Sequence, residues 1–469
     1  MKNFDLGKVA PVIPAAAVVL AVAALAFWLT RQPDRELAAR VPGADNAEAA
    51  DAAGGTNPVY AGKLIVGGGQ PADLPGAWPR FRGTNWDGIS TDPTALAKSW
   101  APSGPARLWS VNLGDGYAGA AVHAGRVYIM DYDQTNRQDA LRCLSLADGR
   151  EIWRFAYPVS VKRNHGMSRT VPTVTEKFTV AMGPKCHVVC VDTKTGELRW
   201  GLDLARQFGT TVPQWYAGQC PFVEDGKVIL GIGASNVLMT AVELNTGKVL
   251  WQTPNPRQWQ MTHSSVMPMN FNGRRQYIYC ASQGVTGVSA ADGALLWDTP
   301  DWKISIANVP SPVVLDEGRI FLSGGYNAGS MMLQLVQDGD RITPKTLFRL
   351  DAKVFGSTQH TPIYYNNHFY AVRADEQFVC LDATGKVLWA SGPKQKFGLG
   401  PYLLNGGLIY ALSDLGQLRL IEATPERYHV LAEAKVLDGH EAWAPLALAG
   451  GRLLARDSTR MVCLEVGGK

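Results

Sequence analysis

Charged residues are scarce in this sequence, and they are nowhere concentrated. They make up 18% of the 469 positions, and the formal net charge is +4. No basic cluster is interleaved with aromatic residues, so a nucleic-acid partner is not predicted. The sequence also has no nucleophile elbow, no phosphate-binding loop and no zinc-protease helix. Residues 67–69 are three glycines with no predicted helix after them, which excludes a dinucleotide-binding loop there.

Cysteine is scarce as well, and its number is odd. Seven cysteines cannot form a complete set of disulfide bonds. Cys186 and Cys190 lie four residues apart on one predicted strand, about 13 Å apart by strand rise, which is too far for a disulfide bond. Their Cys-x-x-x-Cys pattern has no second ligand pair, so it does not predict a zinc site.

One long uncharged run lies near the N-terminus. Residues 9–29 (VAPVIPAAAVVLAVAALAFWL) hold 21 residues without a charge, which is enough to span a bilayer. We predict that residues 1–30 form a single transmembrane anchor. The alternative is a cleaved signal peptide, because residues 24–26 (Ala-Leu-Ala) have the small-x-small form of a cleavage site. Basic residues are balanced on the two sides of the run, so charge does not determine its topology.

The residues after this run differ in composition. Residues 31–76 are rich in Ala, Gly, Asp and Pro. Such a segment buries little apolar surface, so we predict a flexible tether between the anchor and the domain that follows.

The strongest pattern in the sequence is an internal repeat. Gly-x-x-x-Trp occurs five times after a strand-like stretch and an Asp-Gly or Thr-Gly turn, as in CLSLADGREIW and CVDTKTGELRW. The five tryptophans are separated by 47, 51, 46 and 92 residues, and Phe348 occupies the missing position in the double interval. A repeat of this length is typical of one four-stranded propeller blade.

A second pattern marks where each blade begins. Pairs of short alternating strands joined by a tight turn recur between the tryptophans, as in CPFVEDGKVIL and GPYLLNGGLIYAL. The first strands of these pairs begin near Ala120, Pro172, Pro221, Val266, Pro312, Pro362, Pro401 and Pro445. We therefore predict that residues 77–469 form an all-β, eight-bladed β-propeller of four-stranded antiparallel blades.

The last blade contains only three predicted strands. An unassigned strand at residues 107–113 (RLWSVNL), which carries Trp109, precedes the first blade. We predict that this N-terminal strand completes the last blade and closes the ring, because closure removes the open sheet edges.

The repeat assigns most cysteines and tryptophans to structural positions. Four cysteines recur at one strand position in different blades: Cys143, Cys190, Cys380 and Cys463. Ala241 and Gly287 stand at the same position in two others, so it favours a small buried residue and the thiols are predicted to be free. The tryptophans predicted to have a structural docking role are Trp109, Trp153, Trp200, Trp251, Trp297 and Trp389.

The blade pattern resembles the pyrroloquinoline-quinone (PQQ) repeat. A small residue followed by Leu/Val-Asp-x-x-x-Gly-x-x-x-Trp is the shared motif, and the resemblance covers residues 105–469. The segment Trp78–Ser90 (WPRFRGTNWDGIS) is similar to the opening motif of many bacterial PQQ-like propellers. In that family the outer-strand tryptophan docks against the neighbouring blade. The superfamily includes quinoprotein dehydrogenases, which bind PQQ and Ca²⁺ in the central funnel, and non-catalytic propellers of the BamB type.

Loops before the inner strands converge on the propeller axis, and their polar residues form the candidate site. The ring comprises Tyr117, Arg169, Gln219, His263, Asn308, Gln359, His360, Glu441 and Trp443. Arg169 suits an anion, and Asn308 and Glu441 are the candidate calcium ligands. One carboxylate is weak support for Ca²⁺, and the vicinal cysteine pair typical of the dehydrogenases is absent.

Two interpretations of this ring remain open. One is a water-filled channel mouth that needs no ligand. The other is a small-molecule or anion site in which His165 assists. The candidate ligand-binding residues are Arg169, His263, Asn308, Gln359, His360 and Glu441.

The sequence therefore predicts a membrane-anchored, extracytoplasmic protein-interaction scaffold with no catalytic residue, no metal and no cofactor. We expect a single-pass protein of the bacterial inner membrane with its propeller in the periplasm and protein partners on the propeller faces. Free thiols are unusual in an exported protein and argue against this location. The alternative function is a dehydrogenase of alcohols or sugars that depends on PQQ and calcium.

Overall fold

The computed structural model describes residues 12–30 and 56–468. It divides into two compact units, Met1–Asp51 and Ala52–Lys469. In the first unit, helix α1 spans Val12–Thr30. Over the described residues, no helix is both long enough and apolar enough to cross a membrane. The predicted transmembrane anchor is therefore not confirmed, and residues 31–55 of the predicted tether lie outside the described part of the chain.

The second unit is an eight-bladed propeller of antiparallel sheets, as predicted. Strands β1 and β2 are Lys63–Val66 and Arg107–Asn112, and blades 1 to 8 then follow in chain order. Blades 1 to 4 contain, from inner to outer strand, β3–β6 (Ala121–His123, Arg126–Asp133, Gln138–Ser145, Glu151–Pro158), β7–β10 (Thr173–Val174, Phe178–Met182, His187–Asp192, Leu198–Asp203), β11–β14 (Phe222–Glu224, Lys227–Gly231, Val237–Glu243, Val249–Pro254) and β15–β18 (Met267–Phe271, Arg274–Ala281, Gly284–Ser289, Leu295–Thr299). Blades 5 to 8 contain β19–β22 (Val313–Val314, Arg319–Gly324, Gly329–Asp338, Arg341–Leu350), β23–β26 (Ile363–Tyr365, His368–Val372, Phe378–Asp382, Val387–Ala390), β27–β30 (Tyr402–Asn405, Leu408–Leu412, Gln417–Glu422, Val430–Lys435) and β31–β33 (Ala447–Ala449, Arg452–Arg456, Arg460–Glu465).

Helical structure in this unit is confined to short turns between strands. Helix α2 spans Leu204–Phe208 after blade 2, and its first turn is capped by the Asp203 carboxylate, which accepts from Arg206 N. Two 3₁₀ turns span Pro58–Ala61 and Asp316–Gly318.

The ring closes as predicted. Strand β2 pairs antiparallel with β33 and becomes the outer strand of blade 8. The inner strands of neighbouring blades also touch across this junction, because β3 of blade 1 contacts β31 of blade 8. The first and last blades are therefore joined at both their inner and their outer strands.

The expectation of a tether without a propeller strand is wrong for residues 56–76. Strand β1 pairs antiparallel with β6 and adds a fifth strand to blade 1. Val59, just before it, is fully buried and lies against Gly201 of blade 2. The strand forms because the outer edge of blade 1 has unpaired backbone groups, and the apolar run at residues 64–66 pairs with them. The strand was not predicted from the sequence because the residues around this short run are rich in Gly and Pro.

Four outer-strand tryptophans pack under a glycine turn of the next blade: Trp109, Trp153, Trp200 and Trp251. Trp153 of blade 1 lies under Gly196 of blade 2, where a Cβ atom would come within 2.5 Å of the indole. Gly196 also has φ +77°, a left-handed conformation that favours glycine. The Trp200 indole donates to Leu244 O of blade 3 at 2.8 Å. In these blades the glycine of the repeat packs against the tryptophan of the preceding blade and not against the tryptophan that follows it in sequence.

The recurrent cysteines lie where the repeat places them. All seven cysteines are buried and free. Cys143, Cys190 and Cys380 lie directly opposite the tryptophan of their own blade. Ala241 and Gly287 lie opposite Trp251 and Trp297 in the same way. Only a small side chain fits beside the indole, which explains why Cys, Ala and Gly are interchangeable here.

The segment Trp78–Ser90 crosses the axis from blade 1 to the opposite side of the ring. On one side, Trp78 N donates to Val122 O of β3 at 2.9 Å. On the other, the Arg82 guanidinium donates to Thr361 O and Pro362 O of blade 6 at 2.8 and 3.0 Å. We call this stretch the crossing segment; it ties blades together that are far apart in the ring.

Candidate functional site

A chain of hydrogen bonds links the inner ends of blades 2 to 6. Cys220 N donates to Ser265 Oγ (3.0 Å), Ser265 N donates to Ser311 Oγ (2.9 Å), and Ser311 N donates to Thr361 Oγ1 (2.8 Å). Val171 N donates to Cys220 Sγ (3.2 Å), so a thiol replaces the hydroxyl in one link. Each acceptor lies two residues before the first residue of an inner strand. This chain fixes the loops that surround the axis.

The chain of hydrogen bonds stops where the equivalent residue has no acceptor. Gly400 and Ala444 stand before the inner strands of blades 7 and 8. Blade 7 is instead bonded to the crossing segment and the residues just after it, because Asn405 donates to Ser90 O and Asp92 O at 3.4 and 3.2 Å. Arg456, buried in blade 8, donates to Ala118 O of the loop before blade 1 at 3.3 Å. Hydrogen bonds therefore fix the loops around the axis in two ways. Small side-chain acceptors link blades 2 to 6, and the side chains of Asn405 and Arg456 donate to backbone carbonyls at blades 7 and 8.

These loops enclose an axial cavity of about 350 Å³. All eight blades contribute to its wall, and Phe81 of the crossing segment contributes as well. The lining residues are Phe81, Tyr117, His165, Arg169, Trp215, Gly218, Cys220, His263, Ser265, Ile306, Ala307, Val309, Tyr326, Gln359, His360, Leu399, Trp443 and Pro445. Its volume is at the lower end of the range for small-molecule sites.

Arg169 is the central cation of this cavity. Its guanidinium lies over the ring of Tyr117, 5.4 Å from the centroid, and Tyr117 packs against Trp443 with ring centroids 4.8 Å apart. Burial lowers the pKa of Arg169 to about 10, so the side chain remains charged at neutral pH. Tyr117 donates to Glu441 Oε2 at 2.8 Å. Burial and this carboxylate together raise the pKa of the phenol well above its usual range.

The two predicted histidines line the cavity as neutral groups. Burial lowers the pKa of His263 to about 4, and the positive charge of Arg169 acts in the same direction. Burial also lowers the pKa of His360 to about 4. Neither imidazole is charged at neutral pH, so both act as polar walls rather than as cations.

Some of the predicted ring residues line the cavity, whereas others make hydrogen bonds outside it. Arg169, His263, Gln359, His360, Tyr117 and Trp443 all line it. Gln219 is fully buried and accepts from Gly231 N at 2.8 Å within its own blade. Asn308 donates to Ala281 O at 3.3 Å, and Glu441 accepts from Tyr117. These three therefore have structural partners.

The donor set does not fit the cofactor pair of the quinoprotein dehydrogenases. Calcium takes six to eight oxygen ligands. Neither of the two candidate ligands, Asn308 and Glu441, lines the cavity, and the Glu441 carboxylate accepts from Tyr117. Within the residues that the structure describes, no three His, Cys, Asp or Glu side chains are grouped as a metal site would require.

Several lining residues were missed by the sequence reasoning. Phe81 lies in a segment far from any blade in sequence, and only the known crossing of that segment places it on the axis. Trp215, Tyr326 and Leu399 lie in loops outside the repeat, where spacing gives no alignment. Ser265 carries a signal that was available, because a small acceptor recurs two residues before four inner strands.

The comparisons with known proteins agree with the observed architecture. The family model described as outer membrane protein assembly factor BamB matches residues 137–348. BamB from Moraxella catarrhalis superposes with a TM-score of 0.53 at 14% identity, over 77% of this chain and 99% of that one. A europium-containing methanol dehydrogenase superposes with a TM-score of 0.57 at 12% identity, over 84% and 90%.

A protein of computational origin shares the fold too. The designed Ika8 protein superposes with a TM-score of 0.52 at 11% identity, over 76% of this chain and 99% of that one. No curated protein matches the sequence. The repeats, the blades and the family match together show an eight-bladed β-propeller that is similar to the PQQ-like propellers.

Proposed function

We propose that the chain is a non-catalytic, membrane-anchored propeller whose outer rim binds a protein partner in an extracytoplasmic space. The family that matches residues 137–348 is described as an assembly factor, a role carried out on other proteins. The uncharged run at residues 9–29 supports the anchor, and the propeller then faces the periplasm from the inner membrane.

The observation that carries this proposal is a series of exposed leucines on the outer strands. In four blades, the residue before the docking aromatic is a leucine with 36–54% of its surface exposed. They are Leu108, Leu250, Leu347 and Leu388. Repetition of an exposed apolar side chain at one structural position produces a rim suited to protein contact.

Blade 1 shows how such a rim is occupied. Strand β1 pairs with β6, and Gly67 N donates to Ile152 O at 2.8 Å. Ile152 holds the position of the exposed leucines, yet it packs against the core. An extended segment therefore fits the outer edge of a blade by adding one strand, and we propose that a partner does the same on other blades.

The dehydrogenase alternative has no comparable support in the site. Neither candidate calcium ligand, Asn308 or Glu441, lines the cavity, and the Glu441 carboxylate already accepts from Tyr117. We derive no catalytic step for this chain.

Site-specific photocrosslinking in the producing cells tests the rim. A photoreactive amino acid is placed at position 250 or 347 of the full chain, and at position 199 as the control. Arg199 precedes Trp200 in blade 2, so it has the same structural position with a polar side chain. We expect one discrete crosslinked protein from both leucine positions and none from the control. Unlinked protein at both leucine positions contradicts the rim.

Two further measurements separate the remaining parts of the proposal. Deletion of residues 1–30 is expected to move the protein from the membrane to the soluble fraction; retention at the membrane contradicts the anchor. The full chain incubated with PQQ and Ca²⁺ is expected to reduce no dye with ethanol or glucose. Dye reduction would replace the scaffold with the dehydrogenase.

A further inference from the structure

Arg169 is a half-buried cation that forms no ion pair in the part of the chain that the structure describes. Nη1 donates to Gly166 O at 2.8 Å, and Nη2 donates to Asn164 O at 2.9 Å and His165 O at 3.0 Å. No ion pair to Arg169 exists among the described residues. Arginine carries five N–H donors, so these three bonds fix the guanidinium in place and leave donors for a further group.

The nearest arginine in sequence behaves differently. Arg163 is 65% exposed and forms an ion pair with Asp115. Arg169 lies in the same loop and lines the cavity, where burial keeps the His263 and His360 imidazoles uncharged at neutral pH. A guanidinium that is fixed at a cavity wall and has no ion-paired carboxylate favours an anionic ligand, because a charge-assisted hydrogen bond is stronger than a neutral one.

Aromatic side chains form a large part of the cavity wall around Arg169. Tyr117, Trp443, Trp215 and Tyr326 line the cavity, and Phe81 of the crossing segment lines it too. Aromatic walls favour a planar apolar body that stacks or packs edge-on against them.

We propose that the axial cavity binds a small organic monoanion with an aromatic body, whose anionic group lies at Arg169 and whose ring packs between the aromatic walls. One cation sets the charge of the ligand at −1, and the volume of about 350 Å³ limits its size. No metal takes part. This site is separate from the outer rim and does not depend on it.

Fluorescence titration of the full chain tests the proposal, because Trp215 and Trp443 line the cavity and report on occupancy. The probes are benzoate, phenylacetate and phenyl phosphate; benzamide is the neutral control of the same shape, and inorganic phosphate is the anion without a ring. We expect saturable binding of the aromatic anions and at least about tenfold weaker binding of both controls.

Two variants and one matched control locate the site. Arg169→Gln is expected to weaken binding of the aromatic anions by about tenfold or more, as loss of a charged hydrogen bond does. Ala307→Phe places a large side chain in the cavity and is expected to abolish binding. It leaves in place the three hydrogen bonds from Arg169 to backbone carbonyls. Arg163→Gln removes a charge from the same loop outside the cavity and is expected to change affinity less than about twofold.

Each part of the proposal can be contradicted by one result. Equal binding of benzamide and benzoate excludes the anion requirement, and equal binding of inorganic phosphate excludes the aromatic one. No saturable binding by any of the three aromatic anions overturns the proposal. If Arg169→Gln does not fold, the Ala307→Phe variant decides: unchanged affinity there places the ligand outside the cavity.

Discussion

Trp109 lies directly opposite Cys463 in the outer part of blade 8, so a residue from the start of the propeller and one from its end share a sheet. The Trp109 indole also donates to Leu146 O of blade 1 at 3.0 Å. One side chain therefore joins the last blade to the first. Loss of its strand removes a sheet partner and an inter-blade contact together.

Truncations test this closure. A chain that begins at residue 56 keeps every described contact of the propeller and is expected to be soluble and as stable as the full chain. A chain that begins at residue 114 lacks β2, exposes the edge of β33 and is expected to be insoluble. Solubility of the fractionated protein is the measurement. Equal solubility of the two would contradict closure by β2.

A truncation at residue 77 tests the fifth strand of blade 1. It removes β1 and Val59 but keeps the crossing segment and β2, so we expect a soluble protein of lower stability. Burial of Val59 alone corresponds to about 1.5–3 kcal/mol. Denaturant unfolding against the chain that begins at 56 measures the difference. Identical midpoints would show that the added strand contributes no stability.

A double-mutant cycle tests the docking of tryptophan under glycine. Trp200→Ala is expected to lower the free energy of unfolding by about 3–5 kcal/mol. Gly247→Ala adds a Cβ within 2.8 Å of the Trp200 ring at a φ of +71° and is expected to cost about 2–4 kcal/mol. The double variant should cost less than the sum by at least about 1 kcal/mol, because the clash disappears with the indole. Strict additivity would mean that the two residues do not interact.

The thiol of Cys220 is predicted to act as a hydrogen-bond acceptor. Cys220→Ser keeps an acceptor for Val171 N and is expected to be nearly as stable as the wild type. Cys220→Ala leaves that N–H unpaired and is expected to cost about 1–3 kcal/mol. Cys190→Ala is the control, since Ala241 fills the same strand position in blade 3 and no backbone N–H depends on the thiol. Thermal unfolding should rank Cys220→Ala as the least stable of the three.

A buried carboxyl predicts how stability depends on pH. Asp139 is fully buried, accepts from the Tyr157 hydroxyl, and has a pKa that burial raises to about 7. The folded state therefore binds a proton that the unfolded state releases near pH 4, so this group stabilises the fold below that pH and loses its contribution as pH rises through 7. From pH 5 to 8 the loss is about 2–3 kcal/mol.

The Asp139→Asn variant isolates this contribution. Asparagine has the shape of the protonated acid and does not titrate, so the variant should lose this part of the pH dependence. Urea unfolding of both proteins at pH 5 and pH 8 measures it. A wild type as stable at pH 8 as at pH 5, relative to the variant, contradicts the raised pKa.

Sequence reasoning predicted the fold because the fold repeats. Cys143 opposite Trp153, and the turn glycine at 149, recur in register from blade to blade, so a period revealed eight sheets and their closure. The same reasoning missed β1, because four residues in a Gly-rich stretch have no copy elsewhere. The site was predicted in part for the same reason. Arg169 and His263 precede inner strands, whereas Phe81 reaches the axis through a unique segment.

The crossing segment has a consequence for biosynthesis. Arg82 is translated before any blade exists, yet its carbonyl partners at Thr361 and Pro362 belong to blade 6. Strand β2 must wait longer still, because its partner β33 is synthesised after blade 7. These two segments therefore stay without their partners until blades 6 and 8 have been synthesised. A nascent chain that stalls before blade 6 holds both in the open, where proteases and chaperones have access to them.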